Sequence, residues 1–231
     1  AISIPGIFYM PTAATQRGKR MRQISVIGAG LMGHSIALVM ARAGHAVAIT
    51  DPVEAARQAL PDRVRQSLTV IGTAPDAIDA TLGRIAVYDS VPAAVRDADL
   101  VFEAVPEKLD LKREIFAEVE AAAPQRAILA SNTSVIPITS IMSGLRHRNR
   151  AIGTHWWNPA HLIPLVEVVR TEWTDEATTE AVVAVLAEAG KTPVRVEKDV
   201  PGFIGNRLQH ALWREAISLV ERGICDAAAV D

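Results

Sequence analysis

From residue 24 onward the chain alternates between two hydrophobic rhythms. Short runs rich in Val, Ile, Leu and Ala, with few charges, fall at 24–27, 46–50, 84–88, 100–105, 127–130, 151–155, 165–169 and 193–196. Near-continuous apolar runs of this length suit strands buried on both faces. Between them, apolar residues spaced three and four apart predict helices over 31–43, 110–122 and 175–189. The stretch 53–83 reads as two or three helical pieces, broken at Pro61 and Gly72. This alternation argues for an α/β domain with a mostly parallel sheet and helices on both faces. After 200–202 the rhythm changes. Ile204, Leu208, Leu212 and Leu219 recur near helical spacing up to Gly223, predicting one long helix whose apolar face needs a partner. The expected organisation is an extension over 1–20, the α/β domain over 21–201, and the first part of an all-helical C-terminal domain over 202–231.

Composition narrows the partners. With 49% hydrophobic and 22% charged residues the chain has the make-up of a globular protein. A formal charge of −2 without a basic stripe argues against nucleic acid, and no apolar run approaches a membrane span. A single cysteine, Cys225, excludes an intrachain disulfide and a cysteine-based zinc site, which suits a reducing cytoplasm. His34, His45, His147, His161 and His210 are too scattered in sequence to suggest a metal site, so they read as surface or core residues.

The first strand runs directly into "GAGLMG", which places Gly28, Gly30 and Gly33 in a G-x-G-x-x-G turn that opens a helix. Gly28 permits the turn, Gly30 lets the backbone approach a diphosphate, and Gly33 lets helix and strand pack closely. Leu31 and Met32 stand where the helix presents its free N–H groups to an anion. Asp51 ends the second strand, where a carboxylate would bind ribose hydroxyls and repel a 2′-phosphate. Pro52 follows, with no adjacent arginine. The pattern predicts a Rossmann-type domain that binds NAD. "VFEAVPEKLDLKREIF" ends a strand with Glu103 and Glu107 ahead of a helix containing Lys112. It reads equally as a capped, solvated helix with i,i+4 pairs and as part of the nucleotide crevice.

Two further stretches carry candidate chemistry. "SNTS" puts Ser134 at the mouth of the sheet, where it serves as turn chemistry or offers a hydroxyl to a substrate. "GTHWWNPAHLIPLVEVV" closes one strand with His155 and places Glu167 within the next, twelve positions on. A buried strand carboxylate needs a partner. A histidine beside a nicotinamide, with its far nitrogen held by a carboxylate, is the base that oxidation of a secondary alcohol requires.

Taken in order, "GAGLMG", "VPEKLDLKREIF", "SNTS", "GTHWWNP", "PLVEVV" and "VPGFIGNRL" resemble the L-3-hydroxyacyl-CoA dehydrogenase family over residues 22–231. The resemblance implies an NAD-dependent oxidation of a 3-hydroxyacyl-CoA with His155 as general base and Glu167 orienting it. It implies that Ser134 and Asn206 bond the reacting oxygen or carbonyl, that Asn158 supports the site, and that Glu107 and Lys112 approach the nicotinamide ribose. It also implies a homodimer formed through the helical domain. Trp156 and Trp157 stand where phenylalanines are usual, and Pro164 where a lysine is common. These departures resemble the lambda-crystallin/L-gulonate dehydrogenase branch and carnitine dehydrogenases. They leave open a free 3-hydroxy acid or carnitine as substrate, or a non-catalytic NAD-binding protein.

Overall fold

The computed structural model describes residues 21–231, so the extension expected over 1–20 lies outside the described residues. The apolar runs become β1 (Gln23–Ile27), β2 (Ala46–Thr50), β3 (Ile85–Tyr88), β4 (Leu100–Glu103), β5 (Ile128–Ser131), β6 (Ala151–Trp156), β7 (Leu165–Val169) and β8 (Thr192–Val196). They form one sheet in the order β3-β2-β1-β4-β5-β6-β7-β8. Every neighbouring pair is parallel except β6 and β7. Chain order reverses between β1 and β4, and the carboxyl ends of these strands open the crevice where α/β sheets bind nucleotides.

Helices α1 (Leu31–Arg42), α2 (Glu54–Val70), α3 (Pro75–Leu82), α4 (Val91–Val95), α5 (Leu109–Ala122), α6 (Ile138–Met142) and α7 (Glu176–Glu188) cover both faces. On one face Ile36, Met40, Val64, Leu68 and Leu186 pack on Val26, Phe102 and Trp156. On the other, Val95, Phe116 and Ile138 pack on Ile27, Val101 and Val169. Val101 and Phe102, adjacent in β4, thus serve opposite cores, as strand alternation demands.

One expectation fails at Pro61. The helix does not break there but runs unbroken over α2. Proline removes one intrahelical bond and crowds the preceding turn, at a cost of about 3 kcal/mol or more. Leu60, Val64 and Leu68 are all buried at i, i+4, i+8 spacing, so both halves of the helix are fastened to the same core. Burying three such side chains contributes about 1.5–3 kcal/mol each, which exceeds the proline penalty. Gly72, with φ +74°, does end the segment before α3.

The chain then passes Gly202 and Phe203, both at positive φ, into α8 (Gly205–Glu221) and α9 (Ala227–Val230). No residue of α8 is buried. Leu208, Leu212 and Ile217 are each more than half exposed, so its apolar stripe faces outward. The first turn of α8 is tied to the rest of the fold at the site.

Candidate active site

A cavity of about 910 Å³ opens at the carboxyl ends of β1, β2 and β4, and its wall includes Gly28, Gly30, Leu31, Met32, Asp51 and Glu107. The three glycines differ in what they need. A Cβ on Gly28, which sits at φ +104°, would lie 2.6 Å from the Ala104 carbonyl oxygen, and one on Gly33 would lie 1.8 Å from that of Gly28. A Cβ on Gly30 would meet nothing within 4 Å. Packing thus explains two glycines, whereas the space beside Gly30 is open on the cavity side. The start of α1 fits an anion there, since its first turn holds no acidic residue and no side chain caps it. Asp51 accepts the Ala29 and Val53 amides at 2.8 and 2.9 Å, which ties the end of β2 to the turn. Carboxylate lone pairs beyond those two remain for ribose hydroxyls. These residues fit NAD. The sequence shows no arginine beside Asp51, but in space there is one. Arg57 reaches back from α2 to donate to the Asp51 carbonyl at 2.6 Å.

Lys112 does not behave as a solvated helix lysine, nor does it line the cavity. Its side chain is fully buried, with the ammonium 2.7 Å from Glu103 Oε1 and 3.2 Å from Glu107 Oε2. Ser131 donates to Glu103 Oε2 at 2.6 Å, closing a network across the ends of β4 and β5. Glu107, on the cavity wall, accepts from the Thr133 hydroxyl and from the Ser134 and Val135 amides. Burial pushes its carboxyl up, but Thr133, Lys112 and those amides together hold it below the ordinary carboxylate range. Lys112 thus meets the cavity wall only through its ion pair with Glu107.

At the neighbouring strand ends, β6 and β7 pair antiparallel with His155 directly opposite Glu167. His155 Nδ1 lies 2.7 Å from Glu167 Oε2, and both residues are buried. The other carboxylate oxygen accepts the Ile204 and Gly205 amides at 2.8 and 3.0 Å, so the first turn of α8 is seated on the same group. Burial raises the Glu167 carboxyl, yet the His155 hydrogen bond and the two amides bring it below its usual range. Trp157 and Phe203 flank the imidazole, with ring centroids 5.2 and 5.6 Å away. Among the described residues Nε2 has no hydrogen-bond partner.

The other expected residues gather around this pair. Asn206 donates to the Ser134 carbonyl at 2.8 Å, which joins α8 to the β5–α6 loop and engages one of its two amide hydrogens. Ser134 is exposed and lines the cavity. Asn158 is exposed on the loop after β6 and makes no hydrogen bond among the described residues. Sequence reasoning passed over Asn132, which lines the cavity and accepts the Trp156 amide at 3.0 Å, linking cofactor crevice to histidine strand. It also separated His34 from His161. The two rings are 6.4 Å apart and bridged through Ser35. Among the described residues, no three His, Cys, Asp or Glu could hold a metal ion, and no helix is long and apolar enough to cross a membrane.

An enzyme that moves hydride from an alcohol to NAD must bring a dinucleotide crevice and a proton acceptor to one sheet edge, and this chain is of that class, the NAD-dependent oxidoreductases. It belongs to the 3-hydroxyacyl-CoA dehydrogenase family. The NAD-binding domain of that family matches residues 23–200 and its C-terminal domain residues 202–231. Among curated relatives, the 5-formyl-3-hydroxy-2-methylpyridine 4-carboxylate 5-dehydrogenase of Mesorhizobium japonicum is 39% identical, over 91% of this chain and 69% of that protein. The L-carnitine dehydrogenase of Streptomyces griseus is 36% identical over 96% and 68%. Among solved structures, the (S)-3-hydroxybutyryl-CoA dehydrogenase of Ralstonia eutropha superposes with a TM-score of 0.86 at 31% identity, covering 92% of this chain and 76% of that one.

Proposed function

We propose that the protein oxidises the 3-hydroxyl of an L-3-hydroxyacyl-CoA to the 3-ketoacyl-CoA, with His155 as general base. The observation that carries this reading is the buried 2.7 Å pair of His155 and Glu167, with the outer nitrogen of His155 left without a hydrogen-bond partner among the described residues. With the proton on Nδ1 donated to Glu167, Nε2 presents its lone pair to the substrate hydroxyl. NAD⁺, when bound, supplies the hydride acceptor. As the C–H pair leaves as hydride, Nε2 takes the hydroxyl proton, the carbonyl forms, and the imidazolium that results is stabilised by the Glu167 charge. The Ile204 and Gly205 amides, at the start of α8, keep that carboxylate ionised and aimed. The Ser134 hydroxyl and the second amide hydrogen of Asn206 are the donors proposed for the substrate oxygens. Asn158, three residues beyond His155, steadies the substrate from the loop side. The outward apolar stripe of α8 belongs, on this reading, to the homodimer formed through the helical domain.

The relatives that act on a pyridine carboxylate and on carnitine favour a second reading, in which the alcohol belongs to a small free acid. NADH formation on L-3-hydroxybutyryl-CoA, L-gulonate and carnitine separates the two. Preference for the thioester supports the first reading, and preference for gulonate or carnitine replaces it with the second. Replacing His155 with alanine is expected to lower turnover by about 10²–10⁴, the worth of a positioned general base. Unchanged turnover would remove His155 from the mechanism.

A further inference from the structure

Four carboxylates, Asp51, Asp89, Glu107 and Glu118, line the cofactor cavity, against a single cationic side chain, Arg63. A dinucleotide adds the negative charges of its diphosphate to that surface. The start of α1 offers only a fraction of a positive charge in return. Arg63 stands on α2, two residues beyond the unbroken Pro61 position. One of its guanidinium nitrogens donates to the Ala29 carbonyl at 3.2 Å, the carbonyl between Gly28 and Gly30. It makes no other hydrogen bond or ion pair among the described residues. The guanidinium is therefore fastened to the glycine turn at the edge of the space that Gly30 leaves open, with most of its five donors uncommitted. Arg57 is different. Its NH1 donates to the Asp51 and Pro52 carbonyls, and it is not part of the cavity wall.

We propose that Arg63 is a diphosphate-binding residue, which reaches over the glycine turn from α2 and ligates the diphosphate of the cofactor opposite the start of α1. A planar fork that donates at once to a carbonyl and to phosphate oxygens suits arginine and not lysine. The nearby His34 does not supply this charge. Burial lowers its basicity, and the Arg63 charge lowers it further, so the imidazole beside the turn is neutral near pH 7. The diphosphate of an acyl-CoA offers the same chemistry, but the anchor on Ala29 places Arg63 on the dinucleotide turn itself.

The test measures the affinity of the protein, by calorimetry or competition, for ADP-ribose and for adenosine, which lacks the diphosphate. Arg63→Gln is expected to weaken ADP-ribose about 10- to 100-fold, the range of one hydrogen bond to a charged group, and to leave adenosine unchanged. Arg63→Lys should fall between, and the wild-type affinity for ADP-ribose should drop more steeply with salt than that of Arg63→Gln. An unchanged ADP-ribose affinity overturns the assignment. So does an equal loss for adenosine, which would mean that Arg63 only shapes the turn. A rise in KM for the thioester alone, with ADP-ribose unaffected, would move the anion to the substrate. ADP-ribose carries no nicotinamide, so the result does not depend on whether His155 is the base.

Discussion

Replacing Lys112 with methionine should be among the most damaging single changes in the molecule. The ammonium and the Glu103 carboxylate are both fully buried, 2.7 Å apart. Without Lys112 the carboxylate keeps only the Val105 amide and the Ser131 hydroxyl as donors. Removing one member of a buried pair strands the other charge and costs about 3–5 kcal/mol. For a chain of this size each kcal/mol shifts Tm by about 2–4 °C, so the fall should be about 6–20 °C. Urea and thermal unfolding followed by circular dichroism measure both quantities. The exposed Arg65–Asp79 pair at 2.9 Å is the internal control, and breaking it should change stability by less than about 1 kcal/mol. Combining Lys112→Met with Glu103→Gln removes the stranded charge and should recover at least half of the loss. A Lys112→Met effect as small as that of the Arg65 control would refute the reasoning, as would a double variant no more stable than the single.

The glycine turn and the acid side of the stability profile supply two further expectations. Gly33→Ala drives a Cβ to 1.8 Å from a backbone oxygen and should unfold or strongly destabilise the protein. Gly30→Ala should leave Tm within a few degrees of wild type yet weaken NADH binding at least tenfold, and equal loss of Tm in the two variants would contradict the distinction. Glu107, Glu120 and Glu167 all have carboxyls held below the ordinary range in the folded protein, each raised by burial but lowered further by hydrogen bonds. The unfolded chain therefore binds more protons in acid, so their stabilisation is complete above the usual glutamate value of about 4.3 and is lost as pH falls below it. The urea midpoint should hold from pH 7 to about 5 and then decline, and a midpoint that rises on acidification would contradict the signs.

Much of this architecture was legible because buried strands advertise themselves. The runs at 24–27, 46–50, 100–105, 151–155 and 165–169 all became strands, and the twelve-residue spacing of His155 and Glu167 matched two adjacent strands in direct register. What escaped was set by distance and by packing. α4 and α6 have five residues each, too few for a helical period to show. Pro61 was read by its local cost, whereas Leu60, Val64 and Leu68 settle the matter through a core built from distant segments. Lys112 read equally as a solvated helix lysine and as part of the nucleotide crevice, and neither reading buried it in an ion pair. Its partner Glu103 lies nine residues back on a strand, where only a carboxylate ending an apolar run hinted at it. Nothing in the sequence tied Arg63 to the glycine turn, since the carbonyl it holds is 34 residues away.

The central claim is that His155 and Glu167 act as one unit, with the carboxylate serving the reaction only through the imidazole. The most direct measurement is the rate of hydride transfer to NAD⁺ in single turnover, compared among wild type, His155→Ala, Glu167→Gln and the double variant. Residues that act as a unit lose their effects together and not multiplicatively. The account predicts that Glu167→Gln slows the wild-type enzyme markedly but adds little to His155→Ala, with NADH bound by every variant. Losses that multiply in the double variant would show that the two side chains work independently, and the mechanism would have to be abandoned.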